Sequence, residues 1–223
     1  MVRPLRTNGH GKPVVALDID GTLGDYHGHF LRFASGYFDA DFPSAEEVNP
    51  GFPLHQFMGI TKEQYRECKL AYRQGGLKRT MPAYPGADAL TTDIRLAGAE
   101  VWICTTRPYL RLDNIDPDTR EWLRRNGISY DAVLFDTLDG EKGSKYRELK
   151  RQAGERVCAI VDDLPEYLEL ARETWRDSVA PPSMYLRDQP YNRHSIDWKR
   201  VRSPWTSWLD IKHDIDRWNK ENS

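Results

Sequence analysis

Short apolar runs that fail to alternate, each cut off by a polar group, constrain this chain more than any other feature. VVAL at 14–17, VWIC at 101–104, AVLF at 132–135 and VCAIV at 157–161 leave no polar face for solvent. Strands of that kind belong in a parallel sheet covered on both sides. Helix-length stretches at 88–98, 118–126 (ending at Gly127) and 144–152 lie between or after them, and 182–186 offers one more strand. The pattern predicts an α/β three-layer sandwich with a parallel, Rossmann-like sheet. Right-handed crossovers then set the carboxyl ends of the strands along one edge, where open sheets bind ligands.

The groups that end the runs share a chemistry. Asp18 and Asp20 follow the first run two residues apart, so they point to one side if strand geometry continues. Carboxylates that close repel unless a hard cation or a shared proton relieves them. Gly21 permits a sharp turn, and Thr22 adds a hydroxyl. Thr105 follows the second run, where a hydroxyl and the free amides of Thr106 and Arg107 make a cradle for anionic oxygens. Lys142 and Lys145 both approach the next helix, and either can carry positive charge to the edge. Asp162 and Asp163 close the last run; adjacent side chains diverge, so one can face a metal while the other holds a lysine or a loop amide.

Taken in order, these segments resemble the four motifs of the haloacid dehalogenase-like hydrolase superfamily: Asp18-Ile19-Asp20-Gly21-Thr22, Thr105, Lys142, and Asp162-Asp163. The resemblance runs from about Val14 to Glu169. Lys142 is preferred for the third motif because Lys-Gly ahead of a helix containing Leu149 matches a common form of it, with Lys145 the rival. The resemblance implies a phosphatase in which Asp18 attacks phosphorus and becomes an aspartyl-phosphate. Asp20 then serves as acid and afterwards as base, and Thr105 and Lys142 bind the phosphoryl group. It also implies Mg2+ held by Asp18, the Asp20 carbonyl and Asp162, with Asp163 supporting the site. The turn Thr105-Thr106-Arg107-Pro108 and the paired Asp162-Asp163 are similar to the branch holding 5'-deoxyribonucleotidases and polynucleotide phosphatases. A nucleoside 5'-monophosphate is the expected substrate. A nucleic-acid 3' end, a sugar phosphate, or a non-catalytic interaction role are the alternatives.

The interval from Thr22 to about Pro85 is too long for an ordinary loop and reads as a mostly helical cap inserted at 24–84, with Thr61 capping a helix. The core is then expected over 1–23 and 85–200. Tyr26, His27 and Phe30 are candidate substrate contacts from that cap, joined by Phe33 and Tyr37; Arg107, Tyr109 and Arg111 are candidate rim contacts. Aromatic rings there either stack on a base or form the cap's own core.

Composition excludes more than it selects. A formal net charge of -2 from 32 basic and 34 acidic side chains gives no overall attraction to nucleic acid or an acidic membrane. Three scattered cysteines, Cys68, Cys104 and Cys158, make neither a disulfide framework nor a zinc knuckle and suit a reducing compartment. With no apolar stretch of spanning length, a cytoplasmic location without membrane association is expected. Trp205, Trp208 and Trp218 crowd 201–223, which reads as an amphipathic terminal helix laid on the domain or as a surface for self-association or another protein.

Overall fold

The computed structural model describes residues 11–48, 53–107, 112–136 and 144–222. In chain order these form β1 (Val14–Leu17), α1 (Tyr26–Phe38), a 3-10 turn (Ala45–Glu47), α2 (Leu54–Phe57), α3 (Lys62–Gln74), a second 3-10 turn (Leu77–Arg79) and α4 (Ala87–Leu96). There follow β2 (Glu100–Thr105), α5 (Ile115–Arg125), β3 (Ala132–Phe135), α6 (Ser144–Ala153), β4 (Val157–Asp162), α7 (Pro165–Thr174), β5 (Ser183–Arg187), β6 (Lys199–Val201) and α8 (Pro204–Glu221).

The six strands pair in parallel in the order β3-β2-β1-β4-β5-β6. Alternate residues of β1 feed two cores. Val15 and Leu17 pack with Ile94, Trp122, Ile211 and Ile215, whereas Val14 and Ala16 pack with Tyr146, Leu149, Leu168 and Trp175. Neither set is accessible to solvent, which is why the run could not alternate. The chain winds outward to β3, then returns to add β4 on the other side of β1. That reversal opens a crevice at the carboxyl ends of β1 and β4.

Two departures from the sequence pattern have local causes. α5 starts a turn before the expected 118, because Pro117 lies in its first turn, where a missing N–H costs nothing. β6 escapes the hydrophobic pattern because only Val201 of its three residues is buried. Beyond it, Ser203 caps α8 and accepts a hydrogen bond from Thr206 N, while Ile211 and Ile215 dock on the sheet and on α4. Trp208 and Trp218 pack against the same core, and Trp205 stays largely exposed. All three cysteines are free and buried. Among the described residues no helix is long and apolar enough to cross a membrane.

The segment between β1 and α4 leaves and returns through a paired stem: Tyr84 N donates to Leu23 O at 2.8 Å and Asp25 N to Pro82 O at 2.9 Å. Its helices α1 and α3 pack together through Phe30, Tyr26 and Tyr72, whose rings lie 5.5 to 5.9 Å apart. This aromatic cluster is continuous with the core beneath Val15 and Leu17.

Candidate active site

Asp18 and Asp162 leave adjacent strands, and one buried lysine joins them. Lys145 Nζ lies 2.8 Å from Asp18 Oδ1, 2.7 Å from Asp162 Oδ2 and 3.2 Å from the Cys104 carbonyl. The lysine is aimed by its helix start. Asp136, at the end of β3, accepts from Ser144 Oγ at 2.7 Å and Lys145 N at 2.8 Å, which fixes the first turn of α6. Tyr146 OH also donates to Asp162. Burial alone lowers the Lys145 ammonium, but Asp162 and Asp18 outweigh it and hold it firmly charged. Lys142, preferred from the sequence, lies outside the described residues; the lysine that the structure brings to the acids is Lys145. The helical spacing of Lys145 and Tyr146 with Leu149 puts Lys145 beside the apolar stripe of α6, a signal that the Lys-Gly pattern obscured.

Asp20 belongs to a separate network. Arg107 Nη2 reaches it at 2.8 Å, and Lys78 Nζ makes a second ion pair with it. Burial pushes the Asp20 carboxyl up, yet Arg107 and Lys78 overcome that and hold it well below the usual range. Arg107 is itself fixed: it is buried, donates from Nη1 to Thr119 Oγ1 at 3.2 Å, and lies over the Trp122 ring. Lys78 sits 4.0 Å from the centre of the Tyr26 ring, and burial brings its ammonium down to about 7. Nothing in the sequence pattern marks Lys78, the middle residue of a short 3-10 turn without periodicity.

Asp163 turns away from Lys145 and accepts from Thr22 Oγ1 at 3.4 Å and from Tyr191 OH. Gly21, at φ 93°, lets this contact close: a Cβ there would sit 2.3 Å from Asp163 Oδ2. Asp18, Asp162 and Asp163 nonetheless present carboxylate oxygens within 4.8 Å of one another. Burial, followed by the opposing pull of Lys145 and the repulsion of Asp162 and Asp20, leaves the Asp18 carboxyl at about 7. Burial, with Asp162 and Asp18 close by, also raises the Asp163 carboxyl well above its usual range. Three clustered carboxylates served by one lysine fit a hard divalent cation, which prefers oxygen donors and would supply the missing positive charge.

A cavity of about 190 Å³ gathers these groups; Asp18, Asp20, Asp162, Asp163, Lys145 and Arg107 line it from the sheet edge. Tyr26, His27, Tyr65, Lys69, Arg73 and Lys78 line it from the 24–84 segment. Thr105 is wholly buried, its hydroxyl accepting from Arg107 N at 3.3 Å, and Thr106 rather than Thr105 faces the cavity. His27 packs against Tyr191 with ring centres 4.2 Å apart, and burial, then Lys69, depress its imidazole to about 4. Phe30 does not reach the cavity. It is buried among Tyr26, Tyr65 and Tyr72 because its ring completes the packing between α1 and α3, so the structure places it in the hydrophobic core rather than against a substrate. Phe33 and Tyr37 pack on each other away from the cavity, and Tyr109 and Arg111 lie outside the described residues.

No family model matches the chain. Among curated relatives, a protein of Chlorobaculum tepidum named "Putative 5'(3')-deoxyribonucleotidase" is 30% identical over 127 residues, 55% of this chain and 61% of that protein. The chain thus spans about three fifths of the length of the curated relatives it matches. Among solved structures, a HAD-superfamily hydrolase from Geobacter sulfurreducens superposes with a TM-score of 0.54 at 16% identity, covering 92% of this chain and 99% of that one. A D,D-heptose 1,7-bisphosphate phosphatase from B. bronchiseptica, solved with magnesium and phosphate, gives a TM-score of 0.56 at 13% identity, covering 91% and 99%. Sheet order, the acids at the β1 and β4 ends and these likenesses together establish that the chain has the haloacid dehalogenase-like hydrolase fold.

Proposed function

We propose that the chain is a magnesium-dependent phosphomonoesterase that works through an aspartyl-phosphate on Asp18 and acts on nucleoside 5'-monophosphates. The observation that carries this reading is the buried Lys145 bridge between Asp18 and Asp162, with Asp163 completing the acid cluster at the strand ends. Asp18, Asp162 and Asp163 would hold Mg2+ by their carboxylates, and the sequence resemblance adds the Asp20 carbonyl as a ligand. When bound, the ion neutralises charge on the phosphoryl oxygens.

Lys145 grips Asp18 Oδ1, leaving Oδ2 for attack. The new bond from that oxygen to phosphorus forms as the ester P–O bond breaks, and the leaving oxygen takes a proton from Asp20. Arg107 and Lys78 keep Asp20 ionised in the free protein; an entering phosphate competes for both cations and restores the carboxyl's proton affinity, so Asp20 takes up a proton from water or from the entering monoanionic phosphate before it serves as acid. Water then attacks the aspartyl-phosphate, Asp20 takes the proton back, and phosphate leaves with Asp18 regenerated. Phosphoryl transfer asks chiefly for alignment and spread positive charge, and the cavity offers both.

The nucleotide reading draws on the relatives named as nucleotidases. A 190 Å³ cavity supports a small substrate over a polymer end. The 24–84 segment would act as the cap over the leaving group, with Tyr26 and His27 touching it. The test is phosphate release with Mg2+ from nucleoside 5'- and 3'-monophosphates, 3'-phosphorylated oligonucleotides and sugar phosphates, run beside Asp18→Asn. Selective release from 5'-monophosphates that vanishes in the variant supports the reading; equal release by variant and parent removes Asp18 as nucleophile.

A further inference from the structure

The cations around the cavity outnumber what one phosphate needs. Five positive side chains line it, Lys69, Arg73, Lys78, Arg107 and Lys145, against four carboxylates, Asp18, Asp20, Asp162 and Asp163. A bound divalent cation leaves three positive charges over, and a phosphate dianion takes two of them. The remainder has a location. Lys145 is paired with Asp18 and Asp162, and Lys78 and Arg107 with Asp20, whereas Lys69 and Arg73 have no carboxylate partner among the described residues.

Lys69 and Arg73 stand one turn apart on α3, on the face turned to the cavity. Arg73 Nε is buried with no hydrogen-bond partner among the described residues, and a buried guanidinium N–H left unmade is costly. Lys69 lies 5.4 Å from the centre of the Tyr65 ring and 5.9 Å from that of Tyr26, which define one wall. Burial, and after it the neighbouring Arg73 charge, bring its ammonium down to about 8. Both groups come from the segment opposite the nucleophile, where a leaving group would lie.

We infer that Lys69 and Arg73 form a subsite for a second anionic group on the substrate, a phosphate or carboxylate carried by the leaving group. This rests on the phosphomonoesterase reading for its first anion and refines the substrate to a bis-anionic one. A guanidinium and an ammonium one turn apart can share a single anion, the guanidinium through its planar fork and the ammonium as a point charge.

Calorimetric titration of Asp18→Asn with Mg2+ present tests the subsite without turnover. Two ligand pairs distinguish the source of the charge: deoxyadenosine 5'-monophosphate against deoxyadenosine 3',5'-bisphosphate, and glycerol 3-phosphate against 3-phosphoglycerate. Tighter binding of the bis-anionic member by about tenfold or more is expected in at least one pair, a phosphate in the first and a carboxylate in the second. Adding Lys69→Gln and Arg73→Gln removes most of that preference and weakens the mono-anionic member far less. Adding instead Lys69→Arg and Arg73→Lys, which keep both charges, retains it. No preference in either pair overturns the subsite, as does equal weakening of both members in the Gln variant, which would put these cations on the scissile phosphate. Loss of preference in the charge-keeping variant also overturns it, by assigning the effect to packing. Phosphate release by the unmodified chain is measured separately: preference for bis-anionic ligands without release from any compound leaves the subsite standing and removes the phosphatase reading.

Discussion

The cavity has two halves of opposite electrical character. The half built from strand ends is acidic: Asp18 and Asp162 share the buried cation Lys145, Asp163 lies beside them, and the three carboxylates together suit a metal. The half built from the 24–84 segment is basic: Lys69, Arg73 and Lys78 face it, and among the described residues only Lys78 meets a carboxylate. Asp20, clamped by Lys78 from one half and Arg107 from the other, stands at the seam. One half is suited to a cation and the other to anions, so under the proposed reading a divalent cation with the scissile phosphate would satisfy the acidic half and the seam, leaving Lys69 and Arg73 for the second anion.

The sharpest way to break this division is to remove the nucleophile. Asp18→Asn should lower phosphate release by about three orders of magnitude or more, since the amide cannot form the covalent bond assigned to the Asp18 carboxylate. A smaller loss would mean that the acidic half only organises a metal and that water attacks phosphorus directly.

Lys145→Met comes next and separates the two lysines. It strands Asp18 and Asp162 in the interior, so a stability loss of about 3–5 kcal/mol in metal-free buffer is expected from breaking a buried pair. Lys142→Met should have a far smaller effect. Urea titration of both variants decides between them, and equal losses would return Lys142 to the third-motif role.

The acidic half should also announce itself in pH. Without metal, the Asp18 carboxyl rises from 3.8 to about 7. A folded value above the unfolded one stabilises fully below the unfolded value and is lost as pH climbs through the folded value. Thermal midpoints in EDTA should therefore fall between about pH 4 and 8, and Asp18→Asn should fall less because its amide never ionises. Saturating Mg2+ should reverse the ranking at about pH 8 by stabilising the parent more than the variant, whose amide is a weaker ligand than a carboxylate. An unchanged ranking would mean that the cation does not bind at Asp18.

The two halves were not equally legible. Strand ends carry positional grammar: a run that stops at a fixed edge announces that the residues just beyond it lie at the crevice, as Asp18, Asp20, Asp162 and Asp163 do, although after β2 it is Thr106 and not Thr105 that faces it. Arg107 was visible as part of the turn, but its ion pair with Asp20 depends on Thr119 and Trp122 from α5 and could not be read locally. Lys69, Arg73 and Lys78 sit in a polar helix and turn, where nothing in the spacing separates a cation facing a cavity from one facing solvent. Phe30 failed in the opposite direction, since an aromatic ring suits a base and a core equally and the packing of α1 on α3 claimed it.

The smallest effect concerns how firmly the basic half is held. Thr61 begins α3 with a reciprocal pair: its hydroxyl accepts from Gln64 N at 3.2 Å, and Gln64 Oε1 accepts from Thr61 N at 2.9 Å. Removing such a cap with Thr61→Ala costs about 1 kcal/mol, or roughly 2–4 °C in a chain of this size. Lys69 and Arg73 lie two and three turns further along, and Tyr72 ties that end of α3 into the core that also holds Val15 and Leu17. Fraying at the first turn should therefore leave ligand affinity nearly unchanged while the whole chain still melts in one transition. A separate low-temperature transition would mean that the basic half unfolds by itself, and that its cations are positioned by ligand binding rather than by the shared core.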